Sequence, residues 1–201
     1  MPKSKNNELT NMNEIFTNCG NLTSISLENF DTNQIKSIKK NMFERCTSLS
    51  SANFIGIDTT NLKSLSYIFS KCKSLKEFDL TFLNKGNVDD FSWMFYHSES
   101  LENINFEKVN LLKTTKISAF FEVYLNLKSI NLSIDISNIE YMDHLFADCE
   151  NIEVLDLWHF DTSKVNNMSI IFKGLKKIKS LDISNLNITN CLNMSECLKN
   201  V

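Results

Sequence analysis

This sequence is short of chain breakers. Across 201 residues it has one proline, Pro2, and four glycines, Gly20, Gly56, Gly86 and Gly174. No Pro- or Gly-rich linker therefore divides it into halves. It also lacks any run near the roughly 18 apolar residues of a membrane span. The opening Met1-Pro2-Lys3-Ser4-Lys5-Asn6-Asn7-Glu8 has no hydrophobic segment after its lysines, so it does not read as a secretory signal peptide. On this reading the chain is cytoplasmic, or it stands at the cell surface and a signal or lipid anchor has been removed. An excess of basic charge is missing too: 21 Lys and Arg stand against 24 Asp and Glu, a net charge of −3. That gives a nucleic-acid partner no general electrostatic support.

Chemistry-bearing patterns are equally scarce. The sequence has no Gly-rich phosphate loop, no Gly-x-Ser-x-Gly elbow and no His-Glu-x-x-His. Its three histidines, His97, His144 and His159, fall at unrelated positions, and no shared face is expected to gather them into a metal or nucleophile site. The expectation is a protein that is not an enzyme and holds neither metal nor cofactor.

What the sequence does have is a period. An aliphatic–Phe pair, with Phe-Phe once, recurs as Ile15-Phe16, Met42-Phe43, Ile68-Phe69, Met94-Phe95, Phe120-Phe121, Leu145-Phe146 and Ile171-Phe172. The steps are 27, 26, 26, 26, 25 and 26 residues. Six residues after each Phe stands Leu or Ile: Leu22, Leu49, Leu75, Leu101, Leu127, Ile152 and Ile178. Apolar pairs follow, such as Ile25 and Leu27, Phe78 and Leu80, or Leu155 and Leu157. Leu-x-x-Leu-x-Leu is the strand signature of a leucine-rich repeat, and its final alternation buries one face.

Each coil then shows an apolar residue before Asp or Asn, as in Phe160-Asp161, which suits a turn or a helix start. Steps of three follow, as in Val165, Met168 and Ile171, and predict a short α or 3₁₀ segment on the convex side. The expected fold is an α/β solenoid of about seven stacked coils, each with one short parallel strand and one convex helical segment. A polar tail covers 1–8 and a single solenoid domain covers 9–201. Coil one carries one extra residue before Met42, and coil five lacks one between Leu132 and Asp135. The pattern begins and ends in mid-repeat, which predicts truncation or end-to-end self-association.

These residues carry a resemblance. The unit Met/Ile-Phe-x-x-Cys-x-x-Leu-x-x-Leu-x-Leu-x-x-Phe-Asp-Thr-Ser-x-Val-x-x-Met resembles the 26-residue bacterial surface-protein repeat of BspA-like leucine-rich-repeat proteins and mycoplasma surface lipoproteins. Coil six matches best, through Phe146, Cys149, Leu155-Asp156-Leu157, Phe160-Asp161-Thr162-Ser163, Val165 and Met168. The resemblance spans about 9–198 and implies adhesion or host interaction at a cell surface.

Of the six cysteines, Cys19, Cys46, Cys72 and Cys149 share one repeat position and predict a reduced, buried thiol ladder. Cys46 and Cys72, one coil apart, and Cys191 and Cys197 in the final coil stay open as disulfide pairs. Outward from the strands lies a short polar column: Ser26, Asn53, Asp79, Asn105, Asn131, Asp156 and Asp182, with no lysine or arginine. It reads either as a solvated sheet face or as a mildly acidic groove for a protein or glycan. The binding candidates are Asp79, Asn105, Asn131, Asp156, Asp182 and, as a contact anchor, Trp158. Trp93 is expected to pack between coils. The function expected is a binding domain of a bacterial surface protein; an intracellular interaction scaffold and a structural spacer are the alternatives.

Overall fold

A computed structural model describes residues 12–28, 30, 35, 41–85, 87–106, 109–127, 129–130 and 135–201. Leu9, the candidate Asn131 and the deletion site between Leu132 and Asp135 therefore fall wholly or partly outside the described residues. The chain folds as a repeat solenoid. Its strands are two or three residues long: β1 Ser24–Ser26, β2 Ser51–Asn53, β3 Glu77–Asp79, β4 Asn103–Asn105, β5 Ser129–Ile130 and β6 Val154–Leu155. All pairing is parallel and in repeat register, with Ile25 beside Ala52, Phe78 beside Ile104 and Ile130 beside Leu155. In β1, β3 and β4 the alternation places the outer residues in solvent and the middle one against the core, as the sequence predicts.

The interior is built from columns. Phe16, Phe43, Phe69 and Phe95 stack face to face at centroid distances of 5.2, 5.5 and 5.9 Å, and Phe121, Phe146 and Phe172 continue at 5.6 and 6.3 Å. Between Phe95 and Phe121 the order changes. Phe120 occupies an aliphatic position and meets Phe95 edge-on at 5.3 Å. An apolar cavity of about 20 Å³ lies there, lined among others by Phe91, Phe106, Phe120 and Leu145. It has room for about one water and no polar group to hold it.

The thiol column works by hydrogen bonding as well as by packing. Cys46, Cys72 and Cys149 are buried, and each S–H donates to the carbonyl of a Phe one coil back: Phe16, Phe43 and Phe121, at 3.0, 3.1 and 2.9 Å. Ser98, in the same position, donates to the Phe69 carbonyl at 2.8 Å. Burial raises the Cys149 pKa to about 12 and pushes Cys72 up as well. Cys19 departs from the expected ladder because it is exposed, and all six cysteines are free.

The convex side departs from the sequence expectation. Among the described residues the helical segment is a 3₁₀ stretch, Thr81–Lys85, which directly follows β3. The predicted convex helices are replaced by successive turns. Val165 N–H bonds to Thr162 O and Ile171 N–H to Met168 O, so the steps of three are turns closed by i→i−3 bonds. Alternate N–H groups leave the coil altogether: Tyr67 donates to Ser92 O, Phe69 to Met94 O and Lys71 to Tyr96 O. A helix would need those same N–H groups for its own i→i−4 bonds. Two left-handed residues per coil make this possible. The first lies two before the Phe, at Glu14, Asn41, Tyr67, Trp93, Ala119, His144 and Ile170, and at Glu196, two before Leu198 in the final coil. The second lies two after it, for example Lys71, His97 and Gly174. At Gly174 an added Cβ would come within 2.3 Å of Asp148 Oδ1, so a larger residue here would displace the Asp148 carboxylate.

Polar corners join the straight stretches. A side-chain oxygen accepts the N–H two residues on: Asp79 from Thr81, Asp161 from Ser163 and Asp90 from Ser92, at 2.8, 3.0 and 2.9 Å. The same contact recurs in other coils, as at Asn53, Asn110 and Asn193. The polar residues of the repeat thus mark corners. Among the described residues, no helix is long and apolar enough to cross a membrane.

Candidate functional site

The strand face holds the candidates that the sequence singles out. Asp79 and Asn105 are register partners at the ends of β3 and β4. Asp156 follows β6, and Asp182 occupies the equivalent place in the last coil, where no strand forms. Asp79, Asp156 and Asp182 are exposed and accept the N–H groups of Thr81, Trp158 and Ser184. The carboxyls of Asp135, Asp161 and Asp182 are held below the usual carboxylate range by the N–H and hydroxyl of the Ser two residues on. The short polar column therefore has a structural use: it turns the chain at the end of the strand. Trp158 is 63% exposed, with its ring centroid 3.5 Å from that of His159.

Two of the candidates come together in a groove. It has a volume of about 420 Å³ and crosses β2, β3 and β4, where Ser51, Asn53, Glu77, Asp79, Asn103 and Asn105 supply polar groups. Asp156, Trp158 and Asp182 lie outside it. The groove follows a seam, because the described β2 pairs with β1 and β3 with β4. Three rings fill the seam from below: Phe54 lies 5.5 Å from Phe78 and 5.3 Å from Phe82, and Phe78 lies 6.1 Å from Phe82. Phe82 comes from the 3₁₀ stretch and, with the exposed Ile55, gives the groove an apolar edge. A cavity of this size suits a small ligand or a short segment of a larger one.

A second cluster, on the turn face, was not expected from the sequence. Trp93 stacks on Tyr67 at 5.8 Å, meets Tyr96 edge-on at 5.0 Å and reaches His144 at 5.7 Å. Tyr96 in turn packs on His97 at 4.3 Å. His97 and His144 thus share a face, contrary to the expectation that nothing gathers the histidines. The small Ala119 explains this, since it holds the left-handed position between Trp93 and His144 and lets the indole pass over it. His144 Nδ1 lies 3.3 Å from Oε2 of the buried Glu122. Burial raises the Glu122 pKa to about 7, assisted by Asp148 and opposed by Lys173, and burial lowers that of His144. His144 Nδ1 and Glu122 Oε2 are both closed to solvent and have no hydrogen-bond partner. Among the described residues no group of His, Cys, Asp and Glu is arranged to hold a metal ion.

The family described as Mycoplasma protein of unknown function, DUF285, matches residues 10–132 and 115–201. Among solved structures the chain is similar to a leucine-rich repeat protein from Bacteroides ovatus, at 21% identity and a TM-score of 0.44, covering 78% of this chain and 45% of that one. It is also similar to the T. pallidum leucine-rich repeat protein, at 15% identity and 0.42, covering 84% and 60%. A third is a leucine-rich cell surface protein from Faecalibacterium prausnitzii, at 16% and 0.33, covering 88% and 65%. The chain spans less than two thirds of the length of each. No curated protein matches it. The family match covers both halves of the repeat array, overlaps at 115–132 and agrees with the mycoplasma-type repeat read from the residues: the chain belongs to the DUF285 family of Mycoplasma proteins.

Proposed function

We propose that this chain is a non-enzymatic binding domain of a bacterial surface protein, one solenoid domain that docks a protein or glycan along its strand face. The observation that carries this reading is the groove across β2, β3 and β4, which draws Asp79 and Asn105 into one concave site. Exposed Val154 and Trp158, 61% and 63% accessible, extend the same face into coil six. Such solvent-facing apolar side chains beside polar ones are what interface anchors look like. Surface display rests on the likeness of the repeat to bacterial surface-protein repeats. Free cysteines favour a second reading, an intracellular scaffold with the same docking face.

The test is a binding screen against host matrix proteins and glycans. It compares the intact domain with two strand-face variants, Asp156→Ala/Trp158→Ala and Asn105→Ala, and with Lys113→Ala on another side of the coil. Binding that weakens in a strand-face variant and persists in Lys113→Ala supports the reading. Binding that is the same in all four proteins rejects the strand face as the docking surface.

A further inference from the structure

Charge is distributed unequally around the coil. Away from the strand face, carboxylates meet lysines one coil away: Glu99 with Lys73, Asp148 with Lys173, Glu150 with Lys176 and Glu153 with Lys179, at 3.2, 3.5, 2.7 and 2.8 Å. The outward positions of the strands include Glu28, Glu77, Asp79, Asp156 and Asp182 and not one Lys or Arg. Glu77 and Asp79 project from β3 into the groove and have no basic partner among the described residues. Thr81 N–H occupies one oxygen of Asp79 and leaves the other for a ligand.

Spacing narrows the ligand further. Glu77 and Asp79 are two apart on one strand, so they are separated by about 6.6 Å, and any extended peptide repeats its own side chains at that same interval. Two to three residues further along this direction, the edge formed by Ile55 and Phe82 offers apolar cover. We propose that the groove takes an extended basic peptide segment, with alternate Lys or Arg side chains on Glu77 and Asp79 and an apolar side chain against Ile55 and Phe82. This rests on the strand face being the docking surface and adds the partner's chemistry to it. Charge complementarity sets the occupant: a neutral glycan would leave both carboxylates uncompensated.

Fluorescence anisotropy of the full chain with a labelled Lys-Ser-Lys-Ser-Leu peptide tests this, beside peptides with Glu or Ser in place of Lys. Glu77→Gln/Asp79→Asn removes the charge and keeps the corner, because Asn53 makes the same contact to Ile55 N–H. Glu150→Gln/Glu153→Gln removes equal charge from another side of the coil. The expected result is saturable binding of the Lys peptide alone, weakened about tenfold by the groove variant and far less by the distal one. Ile55→Ser is expected to weaken it separately. Absence of saturable binding, an equal loss in both charge variants, or equal binding of the Glu peptide overturns the proposal. A neutral oligosaccharide whose binding depends on Asn105 and not on the carboxylates overturns the peptide partner and leaves the strand face standing. If no strand-face variant alters any binding, both readings fall.

Discussion

His144 Nδ1 and Glu122 Oε2 face each other across 3.3 Å of closed interior, and neither has a hydrogen bond to another group. Asp143, Asp148 and Lys173 lie around them. Burial works on both in the direction of neutrality. The Glu122 pKa is raised from 4.5 to about 7, so its contribution to stability is complete below 4.5 and is lost as pH rises through about 7. The His144 pKa is lowered from 6.5, so its contribution is present above 6.5 and is lost as pH falls through the folded value. Glu122→Gln removes the first dependence. Thermal unfolding should show the variant gaining on the parent by on the order of 1–2 kcal/mol at pH 8, after allowance for solvent screening, and hardly at all at pH 5. A constant difference between the two pH values would contradict the assignment.

Thiol chemistry separates the cysteines. Cys19 is exposed and Cys191 half-buried, while Cys46, Cys72 and Cys149 are closed in with raised pKa values. In the folded protein a thiol reagent should label Cys19 and Cys191 first and reach Cys46, Cys72, Cys149 and the buried Cys197 on unfolding. Cys72→Ala should cost about 0.5–1.5 kcal/mol by removing one of the two hydrogen bonds to the Phe43 carbonyl, the other coming from Cys46 N–H. Cys72→Ser should cost less, since Ser98 already makes that bond to Phe69. Denaturant melts of the two variants decide it, and equal losses would count against the S–H donor.

Phe146 sits between two stacked rings, Phe121 and Phe172, and is fully buried. Phe146→Ala should cost about 3–5 kcal/mol in the same melts. A loss below about 1 kcal/mol would mean that the column does not hold the coils together.

Ile170 adopts a φ of 63°, where a β-branched side chain is strained. Its N–H donates to Ser195 O at 2.9 Å, a bond that any residue but proline keeps. Ile170→Asn should therefore stabilise the protein by about 1 kcal/mol. An unchanged or lower midpoint would show that the side chain's packing outweighs the strain.

The solenoid was legible because one period repeats the same apolar residues: seven Phe positions and the Leu positions after them align by counting alone. The convex turns were not. Val165, Met168 and Ile171 have the same three-residue step in a run of turns as in a helix, and the deciding feature, a left-handed residue at Ile170, has no Gly or Asn to announce it. The polar column was legible as a column, while its use as a corner appears only in contacts such as that between Asp156 and Trp158 N–H. The groove was hidden for a different reason. Asp79 and Asn105 look like every other coil in sequence, and what sets them apart is the packing of Phe54, Phe78 and Phe82 beneath.

The alternating N–H pattern of the turn face also limits how such genes can change. In the coils of Phe69, Phe121, Phe146 and Phe172, from four residues before the Phe to two after it, every second N–H is committed to the following coil. An insertion or deletion of one residue inside that stretch would offset all of those donors from their acceptors, whereas loss or duplication of a whole coil would restore the match. In this chain the missing residue between Leu132 and Asp135 falls outside the stretch. Copy number is therefore the cheap variable for this architecture.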